Sequence, residues 1–385
     1  MPLAKRMQDI QPFRVMDILA RAKALEAQGQ SIIHMEVGEP DFSTPELIIE
    51  AAKLALDQGL THYTAAVGLP KLRDAIAAYY KRRYSVDVSP EQVVITPGAS
   101  GALMLSMGIL VDPGQQVIMA DPGYPCNRHF VRLMEGDTIS VPVDEEMGYQ
   151  LNVDLLKQYW TNKTSVVMLA TPSNPTGSLI KHDNLLEIIE FATQKNATVI
   201  VDEIYHGLVY DEVVSTATGQ SDNVFVINSF SKYFNMTGWR LGWIIAPKQY
   251  ISSLDKLAQN IFLAAPTVSQ HAALAAFDPL TIELLEQRRS IFKERRDYLL
   301  PELQRLGFEI NFKPQGAFYI YADCSNLAED SMTLSNQLLE EVGVAITPGD
   351  DFGQYGAGQH VRFAYTTSLP NLRDAVGRME TFFRK

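Results

Sequence analysis

Cysteine is scarce: the 385 residues contain two, Cys126 and Cys324. That is too few for a disulfide framework and suits a reducing compartment, although a single bridge is compatible with the count. Positive charge is in deficit as well. The 33 Lys and Arg against 45 Asp and Glu leave a net charge of -12, which repels phosphate backbones and anionic lipid, so neither nucleic acid nor a membrane surface is expected as a partner. Long apolar runs are missing, none approaching the roughly 18 residues of a membrane span. The opening MPLAKRMQDIQPF lacks the apolar core of a secretory signal. Fixed-period repeats, low-complexity tracts and like-charge blocks are also absent, which argues against a solenoid or a disordered tail. The seven histidines form no i, i+4 pair in a metal-ligand context, and His206 beside Tyr205 reads as ordinary, so no metal is expected. What remains is a cytoplasmic globular chain, long enough at about 150 residues per domain for two or three units.

What is present is alternation. Between about residues 90 and 247, β-branched runs (VVIT at 93, QVIMA at 116, SVVMLA at 165, ATVIVD at 197, VFVIN at 224, RLGWIIA at 240) are separated by longer helical patterns. This predicts an α/β fold, a mostly parallel central sheet flanked by helices. Several runs end in turn residues, as in ITPGAS, MADPGYP, LATPSNPTG and INSFSK, and ligands gather at the carboxyl ends of strands in such sheets. VMDILARAKALEAQG has the apolar spacing of an amphipathic helix, with Val15, Ile18, Leu19, Ala22 and Leu25 on one face and a stop at Gly29; it is expected to pack as a lid or arm. A charged helix from Thr281 to Leu300, with Leu284, Leu285, Ile291 and Phe292 as its apolar stripe, precedes the strand-like GAFYIYAD. The expected division is an arm and part of a small domain at 1–45, a large domain at 46–281 and a small α+β domain at 282–385.

Two residues stand out chemically. Lys232 follows the strand VFVIN, where burial would strip its charge and make it a nucleophile able to form a Schiff base with a carbonyl; as a surface residue it would be inert. Ser229, Ser231 and Arg240 around it offer hydroxyls and a fork-shaped cation suited to a phosphate. Asp202 ends the strand ATVIVD, either as an N-cap for the next helix or as the partner of a protonated ring nitrogen. The 30 residues between Asp202 and Lys232 allow a crossover that brings them over one ligand. GASGA does not complete a hydrolase nucleophile elbow, because Ala102 stands where G-x-S-x-G needs glycine. GQYGAG at 353 lies before VRFAY rather than between strand and helix, and reads as a loop, not a dinucleotide site.

The stretches GEPDF at 38, HYTAAVGLPKLRDAIA at 62, TPGASGAL at 96, DPGYP at 121, SNPTG at 173, VDEIY at 201, SFSKYFNMTGWRLGW at 229, PQGAFY at 314, PGDDFG at 348 and VRFAYT at 361 follow one another along nearly the whole chain. In this order they resemble the class I/II aminotransferases that depend on pyridoxal 5'-phosphate, the fold type I group that includes aspartate aminotransferase. The resemblance implies that Lys232 carries the cofactor and shuttles the proton from Cα, with Asp202 on the pyridinium nitrogen. It assigns Asn174 and Tyr205 to the ring hydroxylate, although Asn174 is also a good turn residue and Tyr205 a good core aromatic. Tyr124 is implied to stack on the ring. The phosphate would lie at the N–H groups of Ala99 and Ser100 at a helix start, with Ser229, Ser231 and Arg240.

Arg362 resembles the residue that grips the substrate α-carboxylate through two parallel hydrogen bonds, and Gly38 the position whose N–H assists; an ion pair and a tight turn are their structural alternatives. Tyr63 resembles a tyrosine that reaches the neighbouring subunit's phosphate, which implies a homodimer with shared active sites. Where one branch of aspartate aminotransferases carries a lysine for the distal carboxylate, Ser100 stands here. An acidic donor would need another cation, for which Arg14 and Arg128 are the nearest candidates, so alanine, branched-chain and aromatic donors stay open. The expected activity is ping-pong amino transfer from an L-amino acid to a 2-oxo acid, 2-oxoglutarate by family habit. The alternatives are a carbon–sulfur β-lyase using the same residues and a non-catalytic cofactor-binding sensor, which would call for a basic helical domain ahead of GEPDF.

Overall fold

The computed structural model describes residues 3–384. Helix α1 (Arg14–Glu26) leads into the short strand β1 (Ile33–His34), and α2 (Glu46–Asp57) and α3 (Pro70–Tyr84) come after it. Next come β2 (Val93–Thr96), α4 (Gly98–Leu110), β3 (Gln116–Asp121), α5 (Cys126–Leu133), β4 (Asp137–Pro142), α6 (Val153–Tyr159), β5 (Thr164–Ala170), α7 (His182–Gln194), β6 (Thr198–Asp202), β7 (Val224–Ser229) and β8 (Gly242–Ile245). Helices α8 (Lys248–Ile261), α9 (Thr267–Ala273) and α10 (Pro279–Arg305) lead to β9 (Tyr319–Asp323), α11 (Ser331–Val342), β10 (Val344–Ala345), β11 (Thr347–Pro348), β12 (His360–Ala364) and α12 (Leu369–Phe383).

Seven strands form the central sheet in the order β2-β8-β7-β6-β5-β3-β4. Every neighbouring pair is parallel except those involving β8, which runs antiparallel to β2 and β7. The inner strands β6 and β7 are buried along their whole length, as Val- and Ile-rich strands covered on both faces must be. Their side chains divide between two apolar cores, Val199, Val201 and Val226 in one and Ile200, Phe225 and Ile227 in the other.

The sequence pattern missed β4. DTISVP is an edge strand with Val141 as its one buried residue, so no apolar run announces it. RLGWIIA enters its strand only at Gly242, because Arg240 adopts a left-handed backbone (φ +52°) and ends a short turn before it. On α10, Leu285 and Phe292 are buried but Ile291 is 37 % exposed and does not join them.

A second, antiparallel sheet has the order β11-β12-β9. β1 pairs in parallel with β10, Ile33 opposite Val344, and so ties the N-terminal segment to the C-terminal elements. Helix α10, whose first N–H groups are capped by Asp278 through Leu280 N at 2.9 Å, spans the expected division at residues 281 and 282. No helix among the described residues is long and apolar enough to cross a membrane.

Candidate active site

β6 and β7 lie side by side with Asp202 opposite Ile227, so the turn after β7 brings Lys232 to the same sheet edge as Asp202. Both line a cavity of about 220 Å³. Asp202 is 8 % exposed and accepts a hydrogen bond from Ile204 N at 3.1 Å. Burial pushes its carboxyl up to about 6, against the lowering pull of that N–H and of Lys232. Lys232 Nζ donates to the Gly38 carbonyl at 2.6 Å. Loss of hydration pulls its amine down to about 8; Glu39 opposes this, while Arg362 and Arg240 add to it. An amine there can both give up and accept a proton near neutral pH.

On one side of this pair α4 begins. Its first N–H groups, those of Ala99 and Ser100, have no partner within the helix and carry the positive end of its dipole. Gly98 opens the helix at φ +71°, and a Cβ there would come within 2.8 Å of Arg240 Nη2, so the guanidinium lies directly against the helix start. Arg240 Nη1 donates to Thr237 O at 3.0 Å. Ala99, Ser100, Ser231 and Arg240 all line the cavity, an arrangement that matches an anion. Ser229 does not. Its hydroxyl is tied to Leu241 O at 3.0 Å and Ser231 Oγ at 2.9 Å, so it stands behind Ser231 and holds it.

On the other side Arg362 is buried, 2 % exposed. Nη1 donates to Asn174 Oδ1 at 2.9 Å, and Nη2 donates to the Glu36 carbonyl and to Thr347 Oγ1. Its guanidinium carbon sits 4.3 Å from the Tyr319 ring centroid and 4.7 Å from that of Phe352. Nε is buried without a protein partner, and the residue lines the cavity. Accepting through Oδ1 leaves Asn174 its Nδ2 as a donor. Tyr205 Oη and Tyr319 Oη are 2.8 Å apart. A Cβ on Gly38 would collide with the Tyr319 hydroxyl, so glycine is what lets that loop lie against the ring.

Lys232, Asp202, Tyr205, Ala99, Ser100, Tyr124, Asn174, Ser231, Arg240, Gly38 and Arg362 are thus brought around one cavity. Tyr63 is 81 % exposed and does not line it. Neither do the two candidate cations: Arg14 is an exposed residue at the start of α1, and Arg128 Nη2 donates to Asp351 O at 2.8 Å beside a separate small pocket. Sequence reasoning passed over Tyr319, Phe352 and Thr347, and the apolar lining made by Phe13, Val15, Met16, Val37 and Leu103. Tyr319 lay within PQGAFY, where alternation with the neighbouring Arg362 strand was the available signal. GQYGAG is a loop whose Gln354 and Tyr355 N–H groups bond the Asp121 carboxylate. Among the described residues no group of three His, Cys, Asp or Glu is placed to hold a metal.

The family model for aminotransferase class I and II matches residues 30–379. The chain belongs to that family. It is 36 % identical, over 100 % of both sequences, to (5-formylfuran-3-yl)methyl phosphate transaminase of Methanocaldococcus jannaschii. It is also 36 % identical, over 96 % of both, to valine–pyruvate aminotransferase of Mycobacterium tuberculosis. Among solved structures, an aminotransferase from Mycobacterium tuberculosis superimposes with a TM-score of 0.97 at 35 % identity, covering 100 % of this chain and 99 % of that one. The protein is therefore a transaminase with the fold type I architecture of its relatives. Those two relatives take unlike substrates by name, so family membership leaves the donor open.

Proposed function

We propose that this chain binds pyridoxal 5'-phosphate and transfers the amino group of an L-amino acid to a 2-oxo acid, 2-oxoglutarate among the acceptors to test first. The observation that carries the reading is the convergence of Lys232, Asp202 and the buried guanidinium of Arg362 on one cavity. The residues suit the cofactor. Asp202 is a buried carboxylate in want of a cation, which a protonated pyridine supplies; the start of α4 with Ser231 and Arg240 suits its phosphate; Lys232 suits its aldehyde. When bound, pyridoxal phosphate supplies an electron sink that acidifies the Cα–H of an attached amino acid.

The chain's own groups do the rest. Asp202 keeps a proton on the ring nitrogen by its negative charge. The α4 N–H groups with Arg240 hold the phosphate and fix the ring's position. Tyr205 Oη and Asn174 Nδ2 donate toward the ring oxygen, and Tyr124 covers a face of the ring. Arg362 holds the α-carboxylate and so aims Cα at Lys232 Nζ, which would take the proton from Cα and pass it to the carbon that had been the cofactor's aldehyde. Removal of water from this pocket strengthens each of these contacts.

The decisive experiment is a screen of donor amino acids with 2-oxoglutarate, reading glutamate and pyruvate together. Glutamate formed in proportion to donor oxo acid supports transamination; pyruvate released from a sulfur amino acid with no acceptor present would replace it with β-elimination, which the same residues support. We extend the reading to a homodimer in a reducing cytoplasm, with Tyr63 serving the second copy. Light scattering that gives one chain per particle for the active protein would rule the dimer out.

A further inference from the structure

A histidine and two carboxylates that the proposed reaction does not use stand next to Arg362's anchor. His34 ends β1, and Glu36, two residues on, is fully buried. His34 Nδ1 lies 2.7 Å from Glu36 Oε1, and His34 Nε2 lies 3.1 Å from Oε1 of Glu26 on α1. An ionised carboxylate can only accept. Both ring nitrogens must therefore carry a hydrogen for both contacts to be hydrogen bonds, and the imidazolium is the form of the ring that does so. The Glu36 carboxylate raises His34 above its ordinary 6.5 against the lowering effect of burial, and Glu26 adds to the rise. Glu36 Oε2 has no hydrogen-bond partner, so the hydrogen bonding of this buried carboxylate rests on His34. Of the elements packed around the ring, α1 brings Glu26 with its partner Lys23, at 2.7 Å. Helix α12 brings Arg378, which donates to the Ser31 carbonyl at 2.7 Å and pairs with Asp374. Strand β10 brings only Val344 and Ala345.

The main chain of Glu36 carries the link to the site. Its carbonyl accepts from Arg362 Nη2 and, at 2.9 Å, from Thr347 Oγ1 of β11. On either side, Met35 O accepts from Ala364 N at 2.8 Å and Val37 O from Thr366 Oγ1 at 3.2 Å. Glu36 is thus held through its side chain by a histidine and through its carbonyl by the guanidinium that the proposed reaction gives to the substrate's α-carboxylate. A neutral His34 would leave the buried carboxylate without its cation, at a cost. Either residue 36 moves to relieve that cost, or an extra negative charge stays behind the grip. Both weaken the hold of Arg362 on an incoming carboxylate.

We propose that Glu36 is a positioning residue for the carboxylate grip and that the positive charge of His34 holds it in place, so that carboxylates bind more weakly once His34 is neutral. The proposal rests on Arg362 being that grip. Its test does not depend on turnover.

Propanoate, a bare carboxylate, is titrated calorimetrically into the cofactor-loaded unmodified, His34→Gln and Arg362→Leu proteins over a range of pH. The unmodified protein should bind it about three- to tenfold more tightly than His34→Gln at about pH 6, the margin of a charge-assisted over a neutral hydrogen bond, and the two should converge by about pH 9. Site groups that titrate in both proteins cancel in this ratio. Linkage requires the converse: saturating propanoate should raise the pH at which His34 titrates by about 0.5–1 unit. NMR of isotope-labelled histidine in the unmodified protein reads that midpoint, the His34 signal being assigned by its loss in His34→Gln. A histidine that merely stabilises the fold would not respond to the ligand. Equal pH courses in the unmodified and His34→Gln proteins overturn the proposal, and so does a midpoint that propanoate leaves unmoved. Propanoate binding undiminished in Arg362→Leu would instead sink the assignment of Arg362 as the grip, and with it the ground on which the proposal stands.

Discussion

The floor of the cleft comes from one region of sheet, the ends of β6 and β7 with the start of α4, whereas its roof is gathered from Phe13, Val15, Met16, Val37, Gly38, Tyr319 and Arg362. On the floor, Asp202 and Lys232 sit next to strands buried end to end, and rigid backbone sets their spacing. In the roof, position depends on cross-chain contacts: Arg362 on the Glu36 carbonyl, Gly38 against Tyr319, Asp351 on the α1 N–H groups. Under the proposed reaction, chemistry falls to the floor and substrate grip to the roof. Floor variants should therefore act on kcat, and roof variants on KM and on the choice of donor.

The largest expected effect is on the floor. Lys232→Ala should lower kcat by at least about 10²–10⁴-fold, the range of a lost general acid–base group, and abolish the visible absorbance of the loaded protein; full activity would remove the assignment. Next, Arg362→Leu should cut kcat/KM by about 10²–10³-fold for every donor alike, mostly through KM, because charge-assisted hydrogen bonds to the shared carboxylate are lost. A loss confined to one donor, or one expressed only in kcat, would erase the division between floor and roof. Gly38→Ala, whose methyl would strike Tyr319, should raise KM by roughly three- to thirtyfold through overpacking, with kcat changed less; a silent variant would show the loop to be loose.

The smallest effect concerns stability and sharpens the comparison. Lys232 has a folded value of about 8 against an ordinary 10.5, so between these pH values the unfolded chain holds more protons than the folded one. The group's contribution is thus unfavourable at and below pH 8 and is relieved as pH rises toward 10.5. Lys232→Met should raise the Tm of the cofactor-free protein at pH 7 by roughly 1–3 °C, a gain that shrinks above pH 8 in a calorimetric pH series. A loss of stability at pH 7 would mean the floor is not strained by its amine.

The floor was legible because each of its residues lies just past a strand that its own composition announces. Asp202 and Lys232 stand at or beyond the ends of TVIVD and VFVINS, and a parallel crossover between neighbouring strands leaves them few other places to meet. The roof was less so. Phe13, Val15 and Met16 carry the apolar pattern of any amphipathic helix, and nothing local distinguishes a side chain facing a core from one facing a ligand. Met16 is 53 % exposed, while Ile18 and Ala22 on the same helix are buried. Asp351 and Tyr319 gain their meaning from partners more than 100 residues distant, Arg14 in one case and Tyr205 in the other. Ser229 was placed in the anion cradle from its nearness to Lys232, but its hydroxyl bonds Ser231 Oγ and the Leu241 carbonyl and does not line the cavity. The edge strand β4 was lost for the opposite reason, since a strand that buries one residue has no apolar signature to read.

The packing of Arg362 between the rings of Tyr319 and Phe352 makes that guanidinium a fixed gauge rather than a swinging arm. If the proposed reading holds, with the carboxylate end pinned there and the amine brought to Lys232, the gauge would admit one carbon between the two groups. An extra methylene, as in β-alanine, carries the nitrogen past its mark, and detectable turnover of such a homologue alongside its α-amino counterpart would show that the gauge gives.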